Sequence, residues 1–198
     1  MHGSEPQSKK LTSSDVTLVT QCQKGDKKAF ELLVKKYQRR VFNLIYRITQ
    51  DYDLVETLAQ EVFLKAFRAI NSFKGDSQFY TWLYRITVNT CLSQVKREVP
   101  EESLDTTMEA DSRLYADDRS RFHQSNPEQD YIKKEFLIHL VETLQGLPED
   151  LRMAIVLREF MELNYEEISD VLEIPLGTVR SRIFRARERL KESLALFL

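Results

Sequence analysis

Apolar residues recur at spacings of three and four along most of the chain, and strand-like alternation is absent over any useful length. Phe30, Leu33, Val34, Tyr37, Val41, Leu44, Ile45 and Ile48 form one amphipathic stripe. Val55, Leu58, Ala59, Val62, Phe63, Ala66 and Ile70 form a second. Phe73-Lys74-Gly75-Asp76 reads as a turn, with Asp76 or Ser77 placed to cap a third helix that buries Phe79, Trp82, Leu83, Ile86 and Thr90. From residue 98 to 127 the periodicity stops, and Pro100, acids, Ser and Thr dominate, as in a flexible linker whose Leu114, Tyr115 and Phe122 could still dock.

Periodicity resumes with Leu137, Leu140, Val141 and Leu144 and breaks at Gly146-Leu147-Pro148. Pro148 suits the first turn of a helix reaching about Met161, with Leu151, Ala154 and Ile155 inward. Tyr165 to Leu172 is a short helix and Glu173 to Gly177 a turn, after which Thr178 caps or opens a last helix to about Leu196. The predicted fold is all-α. Two small helical domains, residues 13–97 and 128–198, are joined by an acidic linker, 98–127, and preceded by a tail, 1–12. The first domain takes three or four helices and the second about four, each with a modest core.

Charge changes this picture. The 198 residues hold 29 Lys+Arg and 31 Asp+Glu, a net charge of −2 that argues against a nucleic-acid partner. Counted locally, residues 1–97 carry net +7, residues 98–130 net −7 and the remainder −2. Between Gly177 and Lys191 stand Arg180, Arg182, Arg185, Arg187, Arg189 and Lys191 against one acid, Glu188. The total is a cancellation, and the asymmetry is the informative quantity.

Two short helices with a brief turn, the second Arg-rich, predict a helix-turn-helix. At 100° per residue Val179, Ile183, Ala186 and Leu190 share the buried stripe. Gly177, Ser181, Phe184, Arg185 and Glu188 face away, flanked by Arg180 and Thr178. Two Arg suit guanine edges, Ser any base edge, and an outward Phe a thymine methyl. Arg182 and Arg187 lie nearer the core edges and suit phosphates.

These residues resemble region 4 of bacterial sigma factors: Leu147-Pro148-Glu149-Asp150-Leu151-Arg152, Leu157-Arg158-Glu159 and Tyr165-Glu166-Glu167-Ile168, then Pro175-Leu176-Gly177-Thr178-Val179-Arg180-Ser181-Arg182 and Arg185-Ala186-Arg187. The front block resembles region 2: Ala59-Gln60-Glu61-Val62-Phe63-Leu64-Lys65-Ala66, then Phe73-Lys74-Gly75-Asp76-Ser77 and Phe79-Tyr80-Thr81-Trp82-Leu83-Tyr84-Arg85. No region 3 lies between them. That architecture is similar to the extracytoplasmic-function (ECF) sigma factors, and the stretches 73–89 and 178–187 are especially similar to the proteobacterial sigma-E subgroup.

The resemblance implies a non-enzymatic factor, without cofactor, metal or small-molecule substrate, that directs core RNA polymerase to a subset of promoters. The regulon implied is one for envelope or extracytoplasmic stress. Upstream (−35) contacts would fall to Thr178, Arg180, Ser181, Arg182, Phe184 and Arg185. The downstream (−10) element would be read and melted by Phe73, Lys74, Gly75, Phe79, Tyr80, Trp82, Tyr84, Arg85 and Asn89. Gln60, Glu61, Leu64 and Arg68 would meet the polymerase, whose β′ clamp helices and β flap are the implied docking elements. Thr57 stands where the family usually has Asp. The implied regulator is a membrane-tethered anti-sigma factor wedged between the domains, which would hold an otherwise cytoplasmic protein at the inner membrane face.

The residues themselves support parts of this. Tyr80 and Tyr84 project off the stripe as stacking groups for unpaired bases, whereas Phe79 and Trp82 fall on the stripe and read as core. Arg85, Asn89, Lys96 and Arg97 follow on the same helix, placed for phosphates or base edges. An outward Leu64 among polar residues suits a protein interface. His2, His123 and His139 lack metal-ligand spacing, and Cys22 and Cys91 read as plain thiols. Two other readings remain open: a stand-alone helix-turn-helix regulator, and an adaptor whose basic faces bind acidic proteins.

Overall fold

The computed structural model describes residues 13–98 and 127–195. The tail, most of the acidic linker with its Leu114, Tyr115 and Phe122, and the side chains of Lys96 and Arg97 lie outside the described residues. Eight α-helices make up the regular structure among these residues, with no strand: α1 (Ser13–Gln23), α2 (Lys27–Thr49), α3 (Asp53–Ala69), α4 (Phe79–Glu98), α5 (Pro127–Gln145), α6 (Glu149–Glu159), α7 (Tyr165–Leu172) and α8 (Leu176–Ser193). A 3-10 turn, Ile70–Ser72, follows α3.

In the first half, α2 is the central helix, packed on α1, α3 and α4. The Asp26 side chain caps α2 by accepting from the Lys28 and Ala29 amides at 2.9 and 3.4 Å. Gly25, at φ +95°, makes the preceding reversal that a side chain would oppose. The predicted stripe of α2 is the buried face, and Val55, Leu58, Ala59, Val62 and Ala66 of α3 meet it. Asp15 of α1 is a buried carboxylate, 4% exposed. It accepts from Tyr37 at 2.7 Å and from Lys36 at 2.5 Å, which offsets its desolvation.

The second half is built on α6 and α8. Two prolines open these helices. The Pro148 carbonyl accepts from the Leu151 and Arg152 amides, and the Pro175 carbonyl from those of Thr178 and Val179. Here the structure corrects two expectations. Thr178 neither caps nor opens α8, because Pro175 starts the helix before it and places Thr178 inside the first turn. Neither Asp76 nor Ser77 adjoins α4, which starts at Phe79. The Ser77 hydroxyl turns instead to the Gln78 carbonyl.

The two halves pack directly, α4 on α7 and α2 on α6. A further difference lies on α6, where Met153, Val156 and Leu157 are buried as well as Leu151, Ala154 and Ile155. A helix covered by neighbours on several sides buries more than one stripe. Val156 and Arg152 face a small cleft whose opposite wall is Tyr46, Arg47 and Gln50 of the first half.

Candidate nucleic-acid and protein interfaces

Helix α8 presents the predicted outward row. Val179, Ile183 and Ala186 are buried, while Arg180, Ser181, Phe184 and Arg185 are exposed. Phe184 is 66% exposed, the most exposed large hydrophobic among the described residues. The Ser181 hydroxyl donates to the Thr178 carbonyl at 3.0 Å, and the Arg185 Nε–H reaches the Ser181 carbonyl at 3.4 Å. Thr178 is half-buried at the edge of the row.

Arg182 and Arg187 are each paired with an acid of α6. Arg182 pairs with Asp150 in the first turn of α6 at 3.2 Å, and Arg187 with Glu159 at its end at 2.6 Å. The Glu159 carboxylate is also what raises the Arg187 pKa most. The pairs join α8 to both ends of α6, while the buried stripe Val179, Ile183 and Ala186 sets the rotation that turns Arg180, Ser181, Phe184 and Arg185 outward.

The preceding helix, α7, carries a reciprocal cap. The Asn164 side chain accepts from the Glu167 amide, and the Glu167 carboxylate accepts from the Asn164 amide, both at 2.8 Å. The Asn-x-x-Glu spacing was visible in the sequence. Glu173 closes α7 in the left-handed region, φ 56°.

In the first half, the loop from Phe73 to Ser77 is fastened from behind by α1. The Gln23 side-chain amide donates to the Ile70 carbonyl at 3.0 Å and to the Phe73 carbonyl at 2.9 Å. No local signal points to this buttress, which joins residues 50 apart in sequence. Gly75 sits at φ +81° in open space, so the loop shape requires glycine without crowding it. Lys74 and Gly75 are exposed, and Phe73 is half-buried, its ring 5.2 Å from that of Trp82 and 6.0 Å from that of Phe79. Phe79 and Trp82 are core residues.

Tyr80 and Tyr84 differ from the sequence reading. Tyr84 is 0% exposed, although its helical angle puts it off the apolar stripe. Its cover comes from both halves: α2 and α7 both pack on α4, and the Tyr80 ring lies 6.0 Å away. Burial raises the Tyr84 pKa, against a lowering by Arg40. Tyr80 is half-buried, and its hydroxyl donates to the Glu167 carboxylate. Burial first, then this carboxylate, raises its pKa too. Arg85 lies 3.9 Å from Glu173, and Asn89 is exposed. The loop and α4 therefore bring Phe73, Lys74, Gly75, Tyr80, Arg85 and Asn89 to accessible or half-covered positions, with Phe79, Trp82 and Tyr84 behind them.

On α3, Thr57, Gln60, Leu64 and Arg68 are exposed and Glu61 half-buried. Glu61 pairs with Lys65 at 2.7 Å, while Leu64 is 48% exposed. Phe67, absent from the sequence reading, adds a second exposed apolar side chain. Its ring meets that of Phe30 at 5.0 Å. An apolar pair set among polar residues suits a protein surface.

His139 holds α5 to the end of α8, its Nε2 lying 3.0 Å from the Ser193 carbonyl. Among the described residues no three His, Cys, Asp or Glu cluster as a metal site would need, and no helix is long and apolar enough to cross a membrane.

Sigma-70 region 2 matches residues 33–99 and sigma-70 region 4 matches residues 138–190. The chain is 46% identical over 182 residues to the RNA polymerase sigma-H factor of Pseudomonas aeruginosa, covering 91% of this chain and 93% of the relative. It is 47% identical over 180 residues to the ECF RNA polymerase sigma-E factor of Escherichia coli, covering 89% and 92%. Among solved structures, it resembles the sigma factor RpoE in complex with the anti-sigma factor NepR from Bartonella quintana. The TM-score is 0.62 at 26% identity, with coverage of 85% of this chain and 98% of that one. A region 2 match over the front half is not what a stand-alone regulator or an adaptor would carry.

Proposed function

The chain belongs to the ECF branch of the sigma-70 family, non-enzymatic transcription-initiation factors that bind core RNA polymerase, and we propose that it divides promoter recognition between its two halves. Helix α8 reads the upstream −35 element. Arg180 and Arg185 address guanine edges, Ser181 a neighbouring base edge and Phe184 a thymine methyl. Thr178 and Arg182 flank the row, Arg182 reaching DNA only as its Asp150 pair is shared or released. Supporting this is the outward row on a helix pinned by two ion pairs.

Residues 73–89 read and open the downstream −10 element. The Gly75 loop offers a backbone-lined turn for an extruded base, while Lys74, Arg85 and Asn89 flank it and Tyr80 offers a stacking ring. Phe79, Trp82 and Tyr84 act as the platform beneath, shaping the site from the core. Gln60, Glu61, Leu64 and Arg68 on α3 dock on the polymerase clamp, joined by Phe67, and region 4 meets the β flap. Since the structurally similar sigma factor forms a complex with an anti-sigma factor, we expect one here, membrane-tethered, confining a cytoplasmic protein until an envelope stress signal arrives.

Transcription in vitro with purified core polymerase tests this reading. Added protein should yield promoter-specific transcripts on templates bearing promoters served by the sigma-E relative. Absence of such transcripts beside an active sigma-E control would refute it.

A further inference from the structure

Two residues assigned above to the −10 strand are already in use within the chain. The Tyr80 hydroxyl donates to one oxygen of Glu167, and Arg85, five residues further along α4, faces Glu173 at 3.9 Å. Glu167 and Glu173 sit at the two ends of α7, about 9 Å apart along a helix rising 1.5 Å per residue. The second oxygen of Glu167 is held by the Asn164 amide, so the cap of α7 aims its carboxylate. An anionic, hydrogen-bond-accepting helix edge thus lies on the surface a nucleic-acid strand would need, with Tyr84 sealed beneath it.

A second set of contacts closes the same two halves without using any DNA-facing residue. The Arg47 guanidinium stacks over the Phe160 ring at 3.6 Å. Arg152 reaches from α6 to the Ile48 carbonyl at 3.5 Å and to the Gln145 carbonyl at 3.0 Å, a cation between the C-terminal ends of α2 and α5. These contacts are individually weak, as exposed ion pairs and ring contacts are. They work on two parts of one chain, where tethering makes docking effectively intramolecular.

We infer that the α4 face is a docking surface for the chain's own α7, and that the −10 strand and α7 compete for it. The inference rests on the assignment of α4 to the −10 strand. The free factor is then closed by its own second half, and its apparent affinity for single-stranded promoter DNA is reduced by the fraction that is open.

The experiment uses the full-length chain and a Phe160→Ala/Glu173→Gln double variant. Both positions are exposed, and neither belongs to the proposed DNA or polymerase contacts. Circular dichroism and thermal melting check that the variant stays folded. The probe is a fluorescein-labelled single strand carrying the −10 element of a promoter served by the sigma-E relative, with a scrambled strand as control. Anisotropy should show at least fivefold tighter binding of the −10 strand by the variant, and no more than a twofold change for the scrambled strand. Small-angle scattering should show a larger radius of gyration for the variant. Expansion with unchanged affinity would overturn the competition while leaving the −10 assignment standing. Tightening without expansion, or a wild type already as extended as the variant, would overturn it as well. If neither protein prefers the −10 strand over the scrambled one, the assignment of α4 falls and the competition with it.

Discussion

Replacing Phe184 by Ala separates promoter reading from folding. The ring is 66% exposed in the free chain, on the outward row of α8, so it contributes little to the core. Surface substitutions away from caps and buried networks change stability by about 0.5 kcal/mol or less, a melting shift of a few degrees at most. The loss on DNA is larger. A Phe side chain can bury about 200 Å² and about two thirds of it is free here, which sets a ceiling of about 3 kcal/mol at 25 cal/mol per Å². One thymine methyl covers only part of that ring, so about 1 kcal/mol is expected, roughly a fivefold loss in affinity.

The assay is a thermodynamic cycle on a −35 duplex. Deoxyuridine in place of each thymine in turn removes the methyl and leaves the hydrogen-bonding edges intact. Wild type should lose about fivefold at one position, and the Phe184→Ala variant should lose nothing further there, because the contact is already gone. If the variant pays the same cost at every thymine as wild type does, the ring does not meet a methyl and the reading-row assignment of Phe184 is wrong.

Arg185→Ala should cut the preference for a cognate over a scrambled −35 duplex by about 1–3 kcal/mol, the value of one bidentate base contact. An unchanged ratio in parallel titrations at fixed salt would remove Arg185 from the row. Asp15→Ala strands the buried Tyr37 hydroxyl and frees Lys36, and should lower the unfolding free energy by about 1–3 kcal/mol in urea titrations. The Cys91 thiol is pushed up to about 12 from 9.0 by burial, so it should resist thiol reagents at pH 8 in the folded state and react on unfolding. Because its folded pKa is the higher one, the stability it contributes is complete below pH 9 and is lost as pH rises toward about 12, so the advantage of wild type over Cys91→Ala should shrink across that window.

The stripes on α2, α3 and α8 were legible in the sequence because each helix buries one face against neighbours within its own half, and a period of 3.6 reports that directly. Periodicity gave the wrong exposure for Tyr84 and too narrow a core for α6. Each lies among helices from both halves of the chain, and a helical wheel knows nothing of tertiary neighbours. The same blindness hid Gln23, whose partners lie 47 and 50 residues away, and the Tyr80–Glu167 bond, whose partners are 87 apart. Candidate residues for DNA were legible by type and spacing. What was not legible is which of them are occupied at rest. Arg182 and Arg187 count as free cations in a local charge sum, yet each has an acid from α6.

Those pairings bear on how a chain of net charge −2 can read DNA. Four acids of the second half, Asp150, Glu159, Glu167 and Glu173, are committed to Arg182, Arg187, Tyr80 and Arg85. Two of them orient the reading helix, and two lie on α4. None of the four partners belongs to the outward set Arg180, Ser181, Phe184 and Arg185, the row proposed to read the upstream element. Opening the halves would release Glu167 and Glu173 from α4 and expose Tyr80 and Arg85 together, adding a stacking ring and a cation to the first half without changing the charge of the chain. The quantity that decides DNA binding is therefore which acids the fold has placed against which cations, and it changes with the contact between α4 and α7.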